Sequence, residues 1–181
     1  MPDQAEAQWV SVDGDVVEAG LWFGALAREG VRRCALVVHG DSATEVLDEQ
    51  LGPPTVGPAG SYLYEPDGAV IRAGLVNAVA ALVDGRLLDP TIAYVTGDRL
   101  VRTPLARAYA VEDVFGFQLK RLRTWLRDRG VGRLTIKKRG TAVEPQQLRQ
   151  QLKLHGCGEA TIVLTRIAGR QSVMAVRPLP A

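Results

Sequence analysis

The chain has 181 residues, 46% hydrophobic and 23% charged, values of an ordinary globular protein that exclude a disordered chain or a repeat fibre. No apolar run approaches the roughly 18–20 residues that span a bilayer, and Met1 to Gln8 lacks the basic start and apolar core of a secretory signal, so the sequence reads as cytoplasmic with no membrane partner. The net charge of +2 hides a division: up to Asp98 there are 5 Lys plus Arg against 15 Asp plus Glu, and from Arg99 onward 17 against 5.

Such asymmetry points to a polyanion bound by the basic half; the competing reading is that the two halves attract each other. Along the chain, Gln8–Val12 and Val16–Phe23 alternate around Asp13-Gly14, which predicts a hairpin. Cys34–Val38 adds a third strand to a small β-rich unit. From Gly52-Pro53-Pro54 to Gly57-Pro58-Ala59-Gly60 the chain is dense in turn residues, which places a boundary near Pro58 and divides it into 1–57 and 58–181. Asp67 is read as the cap of one helix running to about Val83, with Ile71, Leu75, Val79 and Leu82 as its stripe and Gly85 at its end. Its other faces are apolar too, so the helix is expected to be sandwiched.

Ile92–Val95 and Ala108–Val111 follow as strands, then a helix at about Phe117–Arg129 whose Leu119, Leu122, Trp125 and Leu126 share one face. Leu134–Arg139 is a strand with a basic tip. Pro145 suits the first turn of a helix stapled by Val143 and Leu148. Thr161–Leu164 and Ser172–Val176 make a C-terminal hairpin. The fold class is therefore α+β, helices covering a mixed sheet.

No Gly-x-Gly-x-x-Gly turn and no phosphate loop is present, so the usual backbone cradle for a nucleotide or adenosyl cofactor is missing and no cofactor or catalytic residue is assigned. Cys34 and Cys157 lie far apart without metal-ligand spacing and read as free thiols; no metal site is assigned. His39, Asp41 and Ser42 read as a polar loop, His155-Gly156-Cys157-Gly158 as a turn, and Glu65 and Asp67 as helix-capping carboxylates.

What the sequence does offer is basic clustering. Lys120, Arg121, Arg123 and Arg127 lie on one predicted helix, Arg133, Lys137, Lys138 and Arg139 on a strand, and Arg149 and Lys153 on a second helix. If these elements adjoin, they form one positive strip for phosphates. Tyr62, Tyr64 and Tyr94 are candidates to stack on unpaired bases, with packing at the domain joint the equal alternative for Tyr62 and Tyr64.

Four stretches carry a resemblance: Tyr62–Asp67 leading into Ala69–Val76; Ile92–Asp98; Leu134–Arg139 with Glu144–Arg149; and Ala160–Arg170. In order and spacing, over about Val56 to Pro178, they resemble the THUMP-like C-terminal domain of a bacterial, actinobacterial-type, class I S-adenosylmethionine-dependent methyltransferase family. The resemblance implies an RNA-presenting α+β domain, preceded here by the terminal strands of a methyltransferase sheet. It also implies S-adenosylmethionine as the cofactor of the complete family member, held by a half that would lie upstream of Met1. Strands taken from a larger sheet expose an edge and an apolar face, so a partner is expected: an upstream segment, a separate chain or a second copy. The alternatives are a stand-alone methyltransferase with an unrecognised cofactor site, and a protein-interaction module with a basic face.

Overall fold

The computed structural model describes residues 5–48 and 52–180; part of the N-terminal stretch read above, Met1 to Gln4, lies outside them. The predicted hairpin is β1 (Ala5–Val12) and β2 (Asp15–Phe23), paired antiparallel. Asp13 and Gly14 both take positive φ, as the tight hairpin turn demands. After a single 3-10 turn at Gly24–Leu26, β3 (Arg33–His39) returns parallel to β1. A fourth strand, β4 (Ser42–Leu47), pairs with β3, giving the order β2-β1-β3-β4. Sequence reading missed β4 because Ser42-Ala43-Thr44-Glu45 is too polar to alternate visibly; its partner supplies what its propensity does not.

Seven strands form the second sheet: β5 (Tyr62–Pro66), β6 (Arg86–Asp89), β7 (Ile92–Gly97), β8 (Ala106–Gly116), β9 (Val131–Lys138), β10 (Gly158–Ile167) and β11 (Arg170–Pro178), in the order β6-β7-β5-β8-β11-β10-β9. Of these, β5 and β6 were not predicted; five and four residues are too short for a period to show. The sheet curls on itself. Ala168 N donates to the Leu88 carbonyl at 2.9 Å and Gly169 N to Asp89 Oδ2 at 2.9 Å, tying the β10–β11 turn to β6. Leu63, Leu88, Tyr94, Tyr109, Val163 and Met174 fill the resulting concave face.

The one helix expected over 67–83 is two: α1 (Gly68–Ala73) and α2 (Val76–Leu82). Asp67 caps the first as expected, accepting from Ala69 N at 2.8 Å. Gly74, at φ +72, then breaks the run, and a Cβ there would meet the Arg33 guanidinium at 2.6 Å. At the end of α2 it is Asp84, not Gly85, that takes the left-handed conformation, and Leu82 faces solvent instead of completing a stripe. The expected sandwich is present. Ala35 and Val37 of β3 pack with Val70, Ala73, Val79 and Ala80 of the helices, which pack in turn on Tyr64 and Val95 of the larger sheet. Among the described residues, the four-stranded sheet thus has no apolar core cluster apart from the one it shares with the helix pair.

The amphipathic helices α3 (Leu119–Asp128) and α4 (Pro145–Leu152) lie together on the outer face of β9, β10 and β11, where Leu122, Leu126, Leu148 and Leu152 meet Ile162, Leu164 and Val173. Close backbone approach fixes the start of β9. A Cβ on Gly132 would run into the Gly156 carbonyl, and one on Gly156 into that of Gly130. The His155–Gly158 stretch is accordingly a packed turn, with Cys157 exposed and free.

Candidate nucleic-acid interface

Because α3 and α4 both bury leucines against one sheet face, their basic residues are left on the solvent side, next to each other. Arg123 Nη2 donates to the Gln151 carbonyl at 2.6 Å, bridging the two helices, and Arg149 Nε reaches the Leu134 carbonyl on β9 at 3.3 Å. Lys120 and Lys153 are exposed and have no ion pair among the described residues, and Arg127 pairs only with its exposed neighbour Asp128 at 3.5 Å. Such a surface pair is worth about 0–1 kcal/mol and leaves the charge available. Arg121 lies over Phe115, 4.8 Å from the ring centroid, and Arg129, absent from the predicted set, lies 4.0 Å over Trp125.

The predicted strip is not continuous across β9. Strand alternation sends Leu134 and Ile136 to the helix-covered face and Lys137 to the concave one. Arg133 is paired with Glu159 at 2.5 Å and Lys138 with Glu144 at 2.6 Å. Lys137 pairs with Glu65 at 2.8 Å, and Arg139 covers the Tyr94 ring at 5.1 Å. The helix faces and the β9 tip are therefore two basic surfaces instead of one.

The tyrosines divide as well. Tyr64 is buried, its hydroxyl donating to the Arg99 carbonyl at 2.8 Å and accepting from Val101 N at 2.9 Å; a base has no access to its ring. Tyr94 is also buried, and burial raises its phenol well above the ordinary range. Tyr62 is half-buried against the core around Tyr64. Packing at the joint, the alternative for Tyr62 and Tyr64, is what the contacts match.

Glu65 does not cap a helix. It accepts from the Tyr109 hydroxyl at 3.0 Å and pairs with Lys137, whose ammonium also lies 5.5 Å from the Tyr109 ring centroid. Burial disfavours the charge on Lys137, yet hydrogen bonds and charge from Glu65 and Tyr109 outweigh it and hold the pKa above its usual value. Burial, then the Glu65 charge, raises the Tyr109 phenol. This trio lines a cleft of about 1170 Å³ between the Gly14 and His39 turns of the smaller sheet and the concave face of the larger one. Arg102 and Arg107 line it too. Neither was singled out in the sequence, nor was Tyr109; of the two carboxylates read as caps, Asp67 caps α1 and Glu65 does not.

Among the described residues, two ion pairs join the acidic and basic halves, Arg99–Asp84 and Lys137–Glu65. Mutual neutralisation of the halves therefore leaves most of the basic surface unspent.

Comparison with known proteins gives three findings. Residues 106–178 match the family model described as THUMP domain-like. The chain is 40% identical over 164 residues to uncharacterized S-adenosylmethionine-dependent methyltransferases from two strains of Mycobacterium tuberculosis, covering 91% of this chain and 45% of each relative. It spans about half the length of the curated relatives it matches. A crystal structure provisionally named a methyltransferase, from Porphyromonas gingivalis W83, superposes with a TM-score of 0.78 at 21% identity, over 97% of this chain and 46% of that one, and so shares the fold.

Proposed function

This chain carries a THUMP-like domain and is homologous to proteins named S-adenosylmethionine-dependent methyltransferases, and from that premise we propose that it is the RNA-holding, sheet-completing part of such an enzyme, with chemistry done elsewhere. The observation that carries the reading is the joined solvent face of α3 and α4, where Lys120, Arg127 and Lys153 stand open beside Arg123. Phosphates neutralised there release counterions without any base being read, which suits a domain that presents RNA to a separate active site. Fluorescence anisotropy with a labelled single-stranded RNA at about 50 mM salt tests it: saturable binding is expected, and no binding contradicts it.

The β5-to-α1 turn does not fit the cofactor. An adenosyl cradle needs open backbone at a strand-to-helix turn. At the β5-to-α1 passage the Asp67 carboxylate occupies Ala69 N, and Val16 of β2 fills the space above Gly68, 2.6 Å from where a Cβ would be. The proposal places S-adenosylmethionine in the remainder of the complete enzyme, and no catalytic step is derived from this chain. A stand-alone enzyme would bind S-adenosylmethionine 1:1 in calorimetry; a chain whose cofactor is held by another segment is expected to bind none.

The division into 1–57 and 58–181 is kept as the proposed organisation, supported by the separate sheets of β1–β4 and β5–β11. At the outer edge of the first sheet, β2 has no strand beside it among the described residues. Along and after it Leu21 is 59% exposed, Phe23 52% and Leu26 74%. An edge that is both apolar and unpaired favours pairing with another segment. The proposal is that the cofactor-binding half of the methyltransferase takes this position, in a cytoplasmic protein; no helix among the described residues is long and apolar enough to cross a membrane. Left uncovered in this chain alone, the edge is expected to drive self-association, and replacing Leu21 together with Val17, 60% exposed on the same strand, by Lys is expected to reduce it in analytical ultracentrifugation while changing stability by no more than about 0.5 kcal/mol. A large loss of stability would mean that β2 is already covered.

A further inference from the structure

We propose that the cleft above Glu65 is a second anion site that takes a phosphate-bearing nucleotide unit, free or within a strand, through Arg102 and Arg107. For the strand form this rests on the RNA reading above; for the free form it stands by itself. At about 1170 Å³ the cleft exceeds the roughly 300–1,000 Å³ of a typical small-ligand pocket and is open enough for an extended ligand.

The charge balance selects the ligand. Four cations, Arg102, Arg107, Lys137 and Arg139, face two carboxylates, Glu65 and Asp67. Both carboxylates are engaged: Asp67 caps Ala69, and Glu65 holds Lys137 and the Tyr109 hydroxyl. Arg102 and Arg107 are exposed, with no carboxylate partner among the described residues. Arg139 is held over Tyr94 and adds its charge from the cleft wall. Unpaired guanidinium groups around a concavity concentrate a positive field and match the bidentate geometry of phosphate oxygens. Pro104, Ile71 and Leu179 supply apolar lining for a sugar or base. The Glu65–Lys137 pair plays the complementary part: with its charge held by Glu65, Lys137 fixes the floor while the arginines stay available.

The test compares Arg102→Ala/Arg107→Ala with Lys120→Ala/Arg127→Ala/Lys153→Ala, using pyrophosphate and uridine monophosphate by calorimetry and a labelled hexauridylate by anisotropy. Circular dichroism and thermal melting, expected to match the wild type for the cleft variant, establish that it is folded, and Arg102→Lys/Arg107→Lys is expected to keep part of the affinity. The expected result is at least a tenfold loss for the cleft variant with whichever probes bind. The helix variant should retain affinity for pyrophosphate and uridine monophosphate. Binding of those two probes assigns a free nucleotide; binding of hexauridylate alone assigns a strand. Unchanged affinity in the folded cleft variant, or no binding of any probe by the wild type, overturns the site. If hexauridylate depends only on the helix residues, the cleft assignment fails and the RNA reading stands. If pyrophosphate binds through Arg102 and Arg107 but no RNA binds, the reverse holds.

Discussion

Replacing Lys120, Arg127 and Lys153 together by alanine is expected to weaken binding of single-stranded RNA by on the order of a hundredfold at low salt. Lys120 and Arg127 lie on the solvent face of α3, and Lys153, expected within the second helix, is instead the left-handed residue that ends α4; all three point away from the buried leucines. Each is credited with about 1 kcal/mol, the upper end for exposed ion pairs and below the roughly 1.5–3 kcal/mol of a hydrogen bond to a charged group, because all three are exposed. The salt dependence should become shallower at the same time, since each lost phosphate contact on a single strand removes about 0.7 from the slope of log K against log salt. Melting of the triple variant should stay close to wild type. Anisotropy checks the affinity, and a parallel loss of stability would mean that the residues act through the fold instead of through RNA.

Arg28→Ala should produce the largest loss of stability from one exposed side chain. Glu6 is only 2% exposed on β1. It accepts from Arg28 N at 3.0 Å, from Arg28 Nε at 2.9 Å and from Nη2, while Nη1 of the same guanidinium pairs with Glu45 at 2.7 Å. Truncating Arg28 strands a buried carboxylate. For fully buried pairs that costs about 3–5 kcal/mol; the Arg28 side chain is 42% exposed, so water softens the loss to about 2–3 kcal/mol. Denaturant titration measures it, and Glu6→Leu with Arg28→Leu should recover much of the loss, as replacing both members of a buried pair commonly does.

The pair also sets the acid limb of stability. Hydrogen bonds from Arg28 hold Glu6 and Glu45 below the usual carboxylate range. Thr91, through side chain and backbone, does the same for Asp89. A depressed folded-state pKa contributes stability that is present above the unfolded value, about 4.3 for glutamate, and is lost as pH falls through the folded value. Wild type should therefore weaken below about pH 4. In Arg28→Ala the stranded Glu6 is relieved by protonation, so the gap between variant and wild type should narrow as pH falls. A constant gap would show that the ion pair is not its cause.

Elements whose stability is written locally were legible in the sequence. The leucine spacing of α3, Pro145 at the start of α4, Asp67 before α1 and the Asp13-Gly14 turn each carry their own signal, and each is found in place. What was not legible depends on distant partners. Two apolar helices separated by Gly74 read as one because a single glycine inside an apolar run does not reveal that it takes the left-handed φ of +72 that ends α1. Tyr64 read as a possible base stacker because nothing near it reveals that Arg99 and Val101 occupy its hydroxyl. The Glu65–Lys137 pair joins residues on β5 and β9, and only the curl of the sheet brings them together. The resemblance to THUMP-like methyltransferases supplied the fold family, while the separation of the basic groups into a helix face and a cleft required the alternation of β9 to be seen in its sheet.

If the α3–α4 face grips the RNA backbone by charge, affinity must fall as salt rises. The most direct measurement is the slope of log K against log salt for single-stranded RNA, wild type against the triple alanine variant. The expected result is a clearly negative slope for the wild type, shallower by about 2 in the variant. A flat wild-type slope, or identical slopes for the two proteins, would contradict a charge-based grip by this face.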